Sequence, residues 1–203
     1  MRKINEIFYS LQGEGAHTGI PSVFIRFSGC NLACPFCDTQ HQNGVLMSDD
    51  EIIRKVNTFP AKWIVLTGGE PALHIDAEFV KRLREETGKK VAIETNGTVK
   101  LPQGIDWITV SPKEGICGDG YSPGVGRVVV EKADEIKVVD VGQSLSQYFD
   151  FTCRQPSTLM YLQPCYVNDE KERDANRQRT VNRVLEDPRW QLSLQTHRIL
   201  GID

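Results

Sequence analysis

Three cysteines, Cys30, Cys34 and Cys37, stand with the spacing C-x3-C-x2-C directly after the apolar run Val23–Phe27. Thiols this close cannot pair off as disulfides, because one is always left over and short loops strain the bond. Thiolates are, however, the preferred ligands of zinc and of iron–sulfur clusters. Three of them leave one coordination position open, whereas a structural metal site is normally closed by four protein ligands. His41 follows at a spacing that would close a zinc site as Cys34-x2-Cys37-x3-His41, so structural zinc stands as the alternative. Asn31, Pro35 and Asp38 mark the segment as a turn-rich loop and not a core strand.

Other chemistry-bearing residues fall where strands end. Apolar, β-branched runs occur at Val23–Phe27, Trp63–Thr67, Val91–Glu94, Trp107–Val110, Glu135–Val139, Thr158–Leu162 and Gln191–Leu194. Beyond the first four lie, in turn, the cysteines, Thr67-Gly68-Gly69-Glu70-Pro71, Glu94-Thr95-Asn96-Gly97 and Ser111-Pro112-Lys113, beyond the sixth Gln163-Pro164, and beyond the last Thr196-His197. Helices are expected after the capping box Ser48-Asp49-Asp50-Glu51, between Asp76 and Gly88, and over Asn168 to Glu186, the last as a charged, solvated surface helix. This alternation predicts an α/β fold with mainly parallel strands, open or closed into a barrel, whose strand-end loops gather in one cleft.

A net charge of −3 and a pI near 5.9 exclude the electrostatic footprint of a nucleic-acid or anionic-membrane binder. No apolar run reaches the length of a membrane span and Met1–Glu6 lacks a signal-peptide core, so a cytoplasmic protein is expected, with 1–203 as one domain. Six cysteines in a reducing compartment point to metal chemistry. Cys117, Cys153 and Cys165 are scattered and read as ordinary thiols, although Cys165 adjoins Gln163-Pro164.

With an aromatic residue before its last cysteine, the loop resembles the cluster loop of the radical S-adenosylmethionine (SAM) enzymes. Leu11-Gln12-Gly13-Glu14-Gly15, Gly19-Ile20-Pro21, Arg26, Cys37-Asp38-Thr39 and Trp190 through His197 together resemble the 7-carboxy-7-deazaguanine synthase family within that group. The resemblance implies an incomplete (β/α) barrel, commonly a homodimer. It implies a [4Fe-4S] cluster on Cys30, Cys34 and Cys37, Mg²⁺ on Thr39, and SAM. SAM would be held by Gly68, Gly69, Glu70, Glu94, Asn96, Gly97, Ser111, Pro112 and Lys113, with Gln163, Pro164, Cys165 and Tyr166 completing the nucleotide pocket. Conversion of 6-carboxy-5,6,7,8-tetrahydropterin to the deazapurine, with loss of ammonia, would place that substrate on Leu11, Gln12, Gly13, Glu14, Arg26, Thr95 and the terminal carboxylate at Asp203. The partners implied are the pterin and an electron donor such as a flavodoxin, with no nucleic acid and no membrane. The bidentate fork of Arg26 suits the pterin's carboxylate. His197 reads as a structural residue of the last turn, and the tail Leu200–Asp203 as packed down. A radical-SAM activase of a partner protein shares the cysteine loop and is the rival enzyme reading.

Overall fold

The computed structural model describes residues 1–39, 41–117, 126–150 and 155–202. Its strands are β1 (Arg2–Leu11), β2 (Pro21–Phe27), β3 (Val45–Met47), β4 (Trp63–Gly68), β5 (Lys90–Thr95), β6 (Trp107–Val110), β7 (Glu135–Asp140), β8 (Leu159–Pro164) and β9 (Gln191–Leu192). Its helices are α1 (Asp49–Asn57), α2 (Ala77–Thr87), α3 (Glu170–Glu186) and α4 (Thr196–Leu200). The strands form one sheet in the order β3-β1-β2-β4-β5-β6-β7-β8-β9. From β2 to β9 every neighbouring pair is parallel, while β1 runs antiparallel to both β2 and β3. The result is the expected incomplete (β/α) barrel.

Side-chain parity divides this sheet into two faces. On the outer face, Val23, Ile25 and Phe27 of β2, Ile64 and Leu66 of β4, and Val91 and Ile93 of β5 are buried with Ile52, Ile53 and Val56 of α1 and Phe79 and Leu83 of α2. Farther along, Val110, Ile136, Val138 and Leu162 pack with Trp190, Tyr148 and Val184. The helices form where expected. Ser48 and Glu51 make the reciprocal capping box of α1, and Asp76 accepts from the Phe79 amide at the start of α2. Gly88 ends α2 at φ 66°, a left-handed turn that favours glycine.

Besides β3 and α4, which the sequence expectation did not include, three elements differ from it. β1 is a ten-residue strand that the periodicity hides, because its register against β2 shifts between Ile4 and Glu6. The last strand is short, ending at Leu192. α3 is less solvated than its charges suggest. Asn176 and Thr180 are buried, and Arg183 and Thr180 bind the fully buried Asp140 at the end of β7. Part of the charge run thus neutralises a carboxylate that burial alone would penalise.

Candidate functional site

The inner face of the sheet changes character one layer up. Phe24, Val65 and Ala92 form an apolar floor with Phe8, Trp63 and Trp107. His17, on the short 3₁₀ turn Gly15–His17, lies tilted between the rings of Trp63 and Trp107 at 4.6 and 4.5 Å and closes the bottom. Two residues further along each strand, the same face presents Arg26, Thr67 and Glu94, with Arg26 opposite Thr67 in the parallel register. Above this layer opens a cleft of about 1270 Å³, rimmed by the cysteine loop, the strand-end segments and α4.

All three cysteines and Thr39 line that cleft. Among the described residues no three His, Cys, Asp or Glu side chains converge at single-ion distance, so His41 does not join Cys34 and Cys37 in a zinc site. A cluster takes each thiolate on a different iron and needs them spread around it, so this donor set suits a [4Fe-4S] cluster better than one ion. Cys117, expected as an ordinary thiol, is buried with its sulfur 2.7 Å from that of Cys34. Burial and this contact push the Cys34 thiol up to about 12, and burial raises Cys30 too, so metal loading must displace protons. Thr39 offers one hydroxyl, which fits magnesium's habit of keeping waters and borrowing substrate oxygens. The neighbouring Asp38 is taken by Arg198 and Gln195 of the chain end, at 2.7 and 3.0 Å.

The segment Gly68-Gly69-Glu70-Pro71 works differently from its sequence reading. Gly68 and Gly69 border the cleft, but Glu70 is fully buried and points away from it. Its carboxylate accepts from the Thr95 hydroxyl at 2.7 Å and from the amides of Asn96 at 2.7 Å and Ala72 at 3.0 Å. Burial raises this carboxyl despite those three bonds. The Glu70 carboxylate therefore ties the ends of β4 and β5 together and is not turned toward the cleft. Glu70→Ala orphans three buried donors at about 1–3 kcal/mol each, so a loss of about 3 kcal/mol or more is expected in denaturant unfolding of the cluster-free protein. Thr95, expected on the substrate, likewise gives its hydroxyl to Glu70. Thr67, which the sequence reading left without a role, points its hydroxyl into the cleft layer and donates to Glu94 Oε2 at 2.9 Å.

Glu94 lies deeper in a polar network than a simple SAM contact would. Its Oε1 accepts from Gln12 at 3.3 Å and from Lys137 at 3.0 Å, and Lys137 also bonds Glu14. Burial works to raise the Glu94 carboxyl, but the Lys137 ammonium outweighs it and holds the group below the usual carboxylate range. Lys137 was the residue most clearly missed. A lysine inside the apolar run Glu135–Val139 is the available signal, since lysine is almost never buried unpaired. Arg26 lines the cleft, but its guanidinium is paired with Glu6 across the β1–β2 register and lies 5.0 Å from the Phe8 ring. A carboxylate already stands where a substrate carboxylate would bind.

Of the remaining predicted residues, Leu11, Gln12, Gly13, Asn96, Ser111, Lys113 and Gln163 through Tyr166 border the cleft, whereas Gly97 and Pro112 do not. Asn96 reaches Asn31 of the cysteine loop at 3.1 Å, and Lys113 folds back onto the Ser111 carbonyl at 2.9 Å. Contrary to expectation, His197 lines the cleft, and its ring packs so closely on Gly13 that a Cβ there would fall 2.2 Å from Nδ1. The tail is only partly packed. Leu200 is exposed, Ile202 reaches the cleft, and Asp203 lies outside the described residues, as does Cys153.

Comparison with known proteins agrees with this arrangement. Residues 24–115 match the radical SAM superfamily. The chain is 52% identical over 202 residues to the 7-carboxy-7-deazaguanine synthase of Bacteroides thetaiotaomicron, covering 100% of this chain and 99% of that protein. It is 37% identical to the synthase of Haemophilus influenzae, covering 98% and 93%. The crystal structure of QueE from Escherichia coli superposes with a TM-score of 0.72 at 26% identity, covering 95% of this chain and 93% of that one. With relatives so similar from end to end, the chain belongs to the 7-carboxy-7-deazaguanine synthase family.

Proposed function

We propose that the chain, acting as one radical SAM core domain over 1–203, converts 6-carboxy-5,6,7,8-tetrahydropterin to 7-carboxy-7-deazaguanine with loss of ammonia. The observation that carries this is the change of the sheet's inner face from apolar to polar beneath the cysteine loop. There, Arg26, Thr67 and Glu94 form a layer suited to a small, flat, anionic heterocycle. When bound, a [4Fe-4S] cluster with SAM supplies one-electron cleavage chemistry, and Mg²⁺ supplies a bridging positive charge. The chain's own residues hold and orient. Cys30, Cys34 and Cys37 fix the cluster, and Thr39 supplies the magnesium ligand. The backbone of Gly68 and Gly69 with Asn96, Ser111 and Lys113 contacts SAM, and Gln163 through Tyr166 completes the nucleotide pocket. Arg26 exchanges Glu6 for the pterin carboxylate, while Gln12 and Glu14 meet the pterin's N–H edge. The apolar floor keeps water from below.

The reading carries a homodimer, a one-electron donor of flavodoxin type and a cytoplasmic setting with it. Among the described residues no helix is long and apolar enough to cross a membrane. Anaerobic incubation of the iron-reconstituted protein with SAM, Mg²⁺, reductant and the carboxypterin tests the proposal. Deazapurine should accumulate and ammonia be released; a cluster-loaded protein that leaves the pterin unchanged would refute it.

A further inference from the structure

Lys137 stands in the middle of β7 with its side chain 7% exposed, yet it reaches two carboxylates from different parts of the chain. Glu14 comes from the β1–β2 connection and Glu94 from β5. Both carboxylates touch one ammonium, so they lie within an ammonium's width of each other. We propose that Lys137 is a positioning residue that holds Glu14 and Glu94 together as a paired-carboxylate acceptor wall for the N–H donors of the substrate. This rests on the pterin reading above.

The other charged groups that face this pair cannot take over the task. Glu135, two residues earlier on β7, is buried and spends its oxygens on the Thr109 hydroxyl and the Ala16 amide, at 2.9 Å each. Burial raises its carboxyl, and both its oxygens are already engaged. Lys113 gives its ammonium to Ser111, and burial lowers it. His197 faces Glu14 and Glu94 from α4, but burial lowers its imidazole, which leaves it neutral at physiological pH. The Lys137 ammonium itself is held charged, because Glu14, Glu94 and Glu135 outweigh the penalty of its burial.

The wall is built for accepting bonds. Glu94 is oriented by three donors, Gln12, Lys137 and Thr67. Glu14 is gripped through Oε2, and no described bond uses its Oε1. A tetrahydropterin carries ring N–H groups and an amino group, so it presents several donors to such a surface. Remove the ammonium, and two like charges at this separation cannot both remain ionised near neutrality; one takes up a proton and changes from acceptor to donor.

Carboxypterin affinity and kcat/KM would be measured on anaerobically reconstituted holoenzyme from about pH 6 to about pH 9, for wild type, Lys137→Met and Lys137→Arg. Wild type should be nearly flat. Lys137→Met should bind roughly a hundredfold more weakly at the acid end and recover at least about tenfold toward the alkaline end, as the shared proton leaves. Lys137→Arg, which keeps the charge, should be flat at an intermediate level. Adding Glu14→Gln to Lys137→Met should reduce the pH dependence, because Glu94 then shares no proton with Glu14 and only burial and the more distant Glu135 still raise it. Iron content and SAM affinity should stay unchanged in every variant. Loss of the same size at all pH values, wild-type affinity in Lys137→Met, or a parallel fall in SAM affinity would overturn the proposal. A wild-type enzyme that fails to bind the carboxypterin would instead refute the substrate reading beneath it.

Discussion

Cys30→Ala, Cys34→Ala and Cys37→Ala should each give nearly colourless protein after anaerobic reconstitution, retaining well below the roughly four irons of a complete cluster. Activity should fall to background in all three. A large effect is expected because, with one thiolate for each of three irons, no neighbouring ligand would replace a lost one. Cys117→Ala is the informative control. Its sulfur lies 2.7 Å from that of Cys34, so proximity alone would make it a fourth ligand. The three-cysteine reading expects unchanged iron content and turnover in Cys117→Ala, since SAM and not a thiol takes the remaining coordination position. A drop in iron content on losing Cys117 would replace that reading with a four-cysteine site.

Gly69→Ala should be nearly as damaging, for steric reasons. A Cβ on Gly69 would fall 2.0 Å from the Gly29 carbonyl oxygen and 2.5 Å from its carbon, immediately before Cys30. The contact is backbone against backbone, and the two segments are pinned there by Gly69 N–H to Phe27 O at 3.0 Å and Glu70 N–H to Gly29 O at 2.9 Å. The substitution must therefore push the cysteine loop away from the strand ends. Displacement of that kind costs activity on the order of a hundredfold, with weakened SAM binding. Gly88→Ala makes the contrast. Gly88 has a left-handed φ of 66° but nothing within 4 Å of a Cβ, so about 1–2 kcal/mol of stability is lost while turnover per folded molecule is kept. Turnover and denaturant midpoints measured side by side would separate the two; an active Gly69→Ala would show that the loop is not braced here.

What was legible in the sequence was local. The cysteine spacing, the glycine pair and the apolar runs report on their own neighbourhoods, and those placed the cleft correctly at the strand ends. Side-chain direction was not legible once a strand had ended. Glu70 sits among cleft residues in the chain, but β4 stops at Gly68, parity is lost there, and its carboxylate turns inward to Thr95, the last residue of β5. Thr67, still on the strand, keeps its parity with Val65 and faces the cleft. β1 escaped notice because its register shift breaks the alternation on which strand reading depends. Lys137 and Asp140 carry charge into the interior, and their charged partners lie between 39 and 123 residues away in the chain. No local pattern announces such pairs.

The clasp between the chain end and the cysteine loop also bears on how the protein is made. Arg198 and Asp38 are 160 positions apart, and Thr196 N–H meets the Gly13 carbonyl at 3.0 Å across 183 positions. At about 5–20 residues per second, a ribosome needs roughly 8–30 s to travel from one partner to the other. Throughout that interval the cysteine loop has left the synthetic machinery without the residues that brace it. Contacts of such long sequence separation also form late in folding, because loop closure must be paid first. The cleft is therefore finished only after α4 has been made, later than the strands on which it is built.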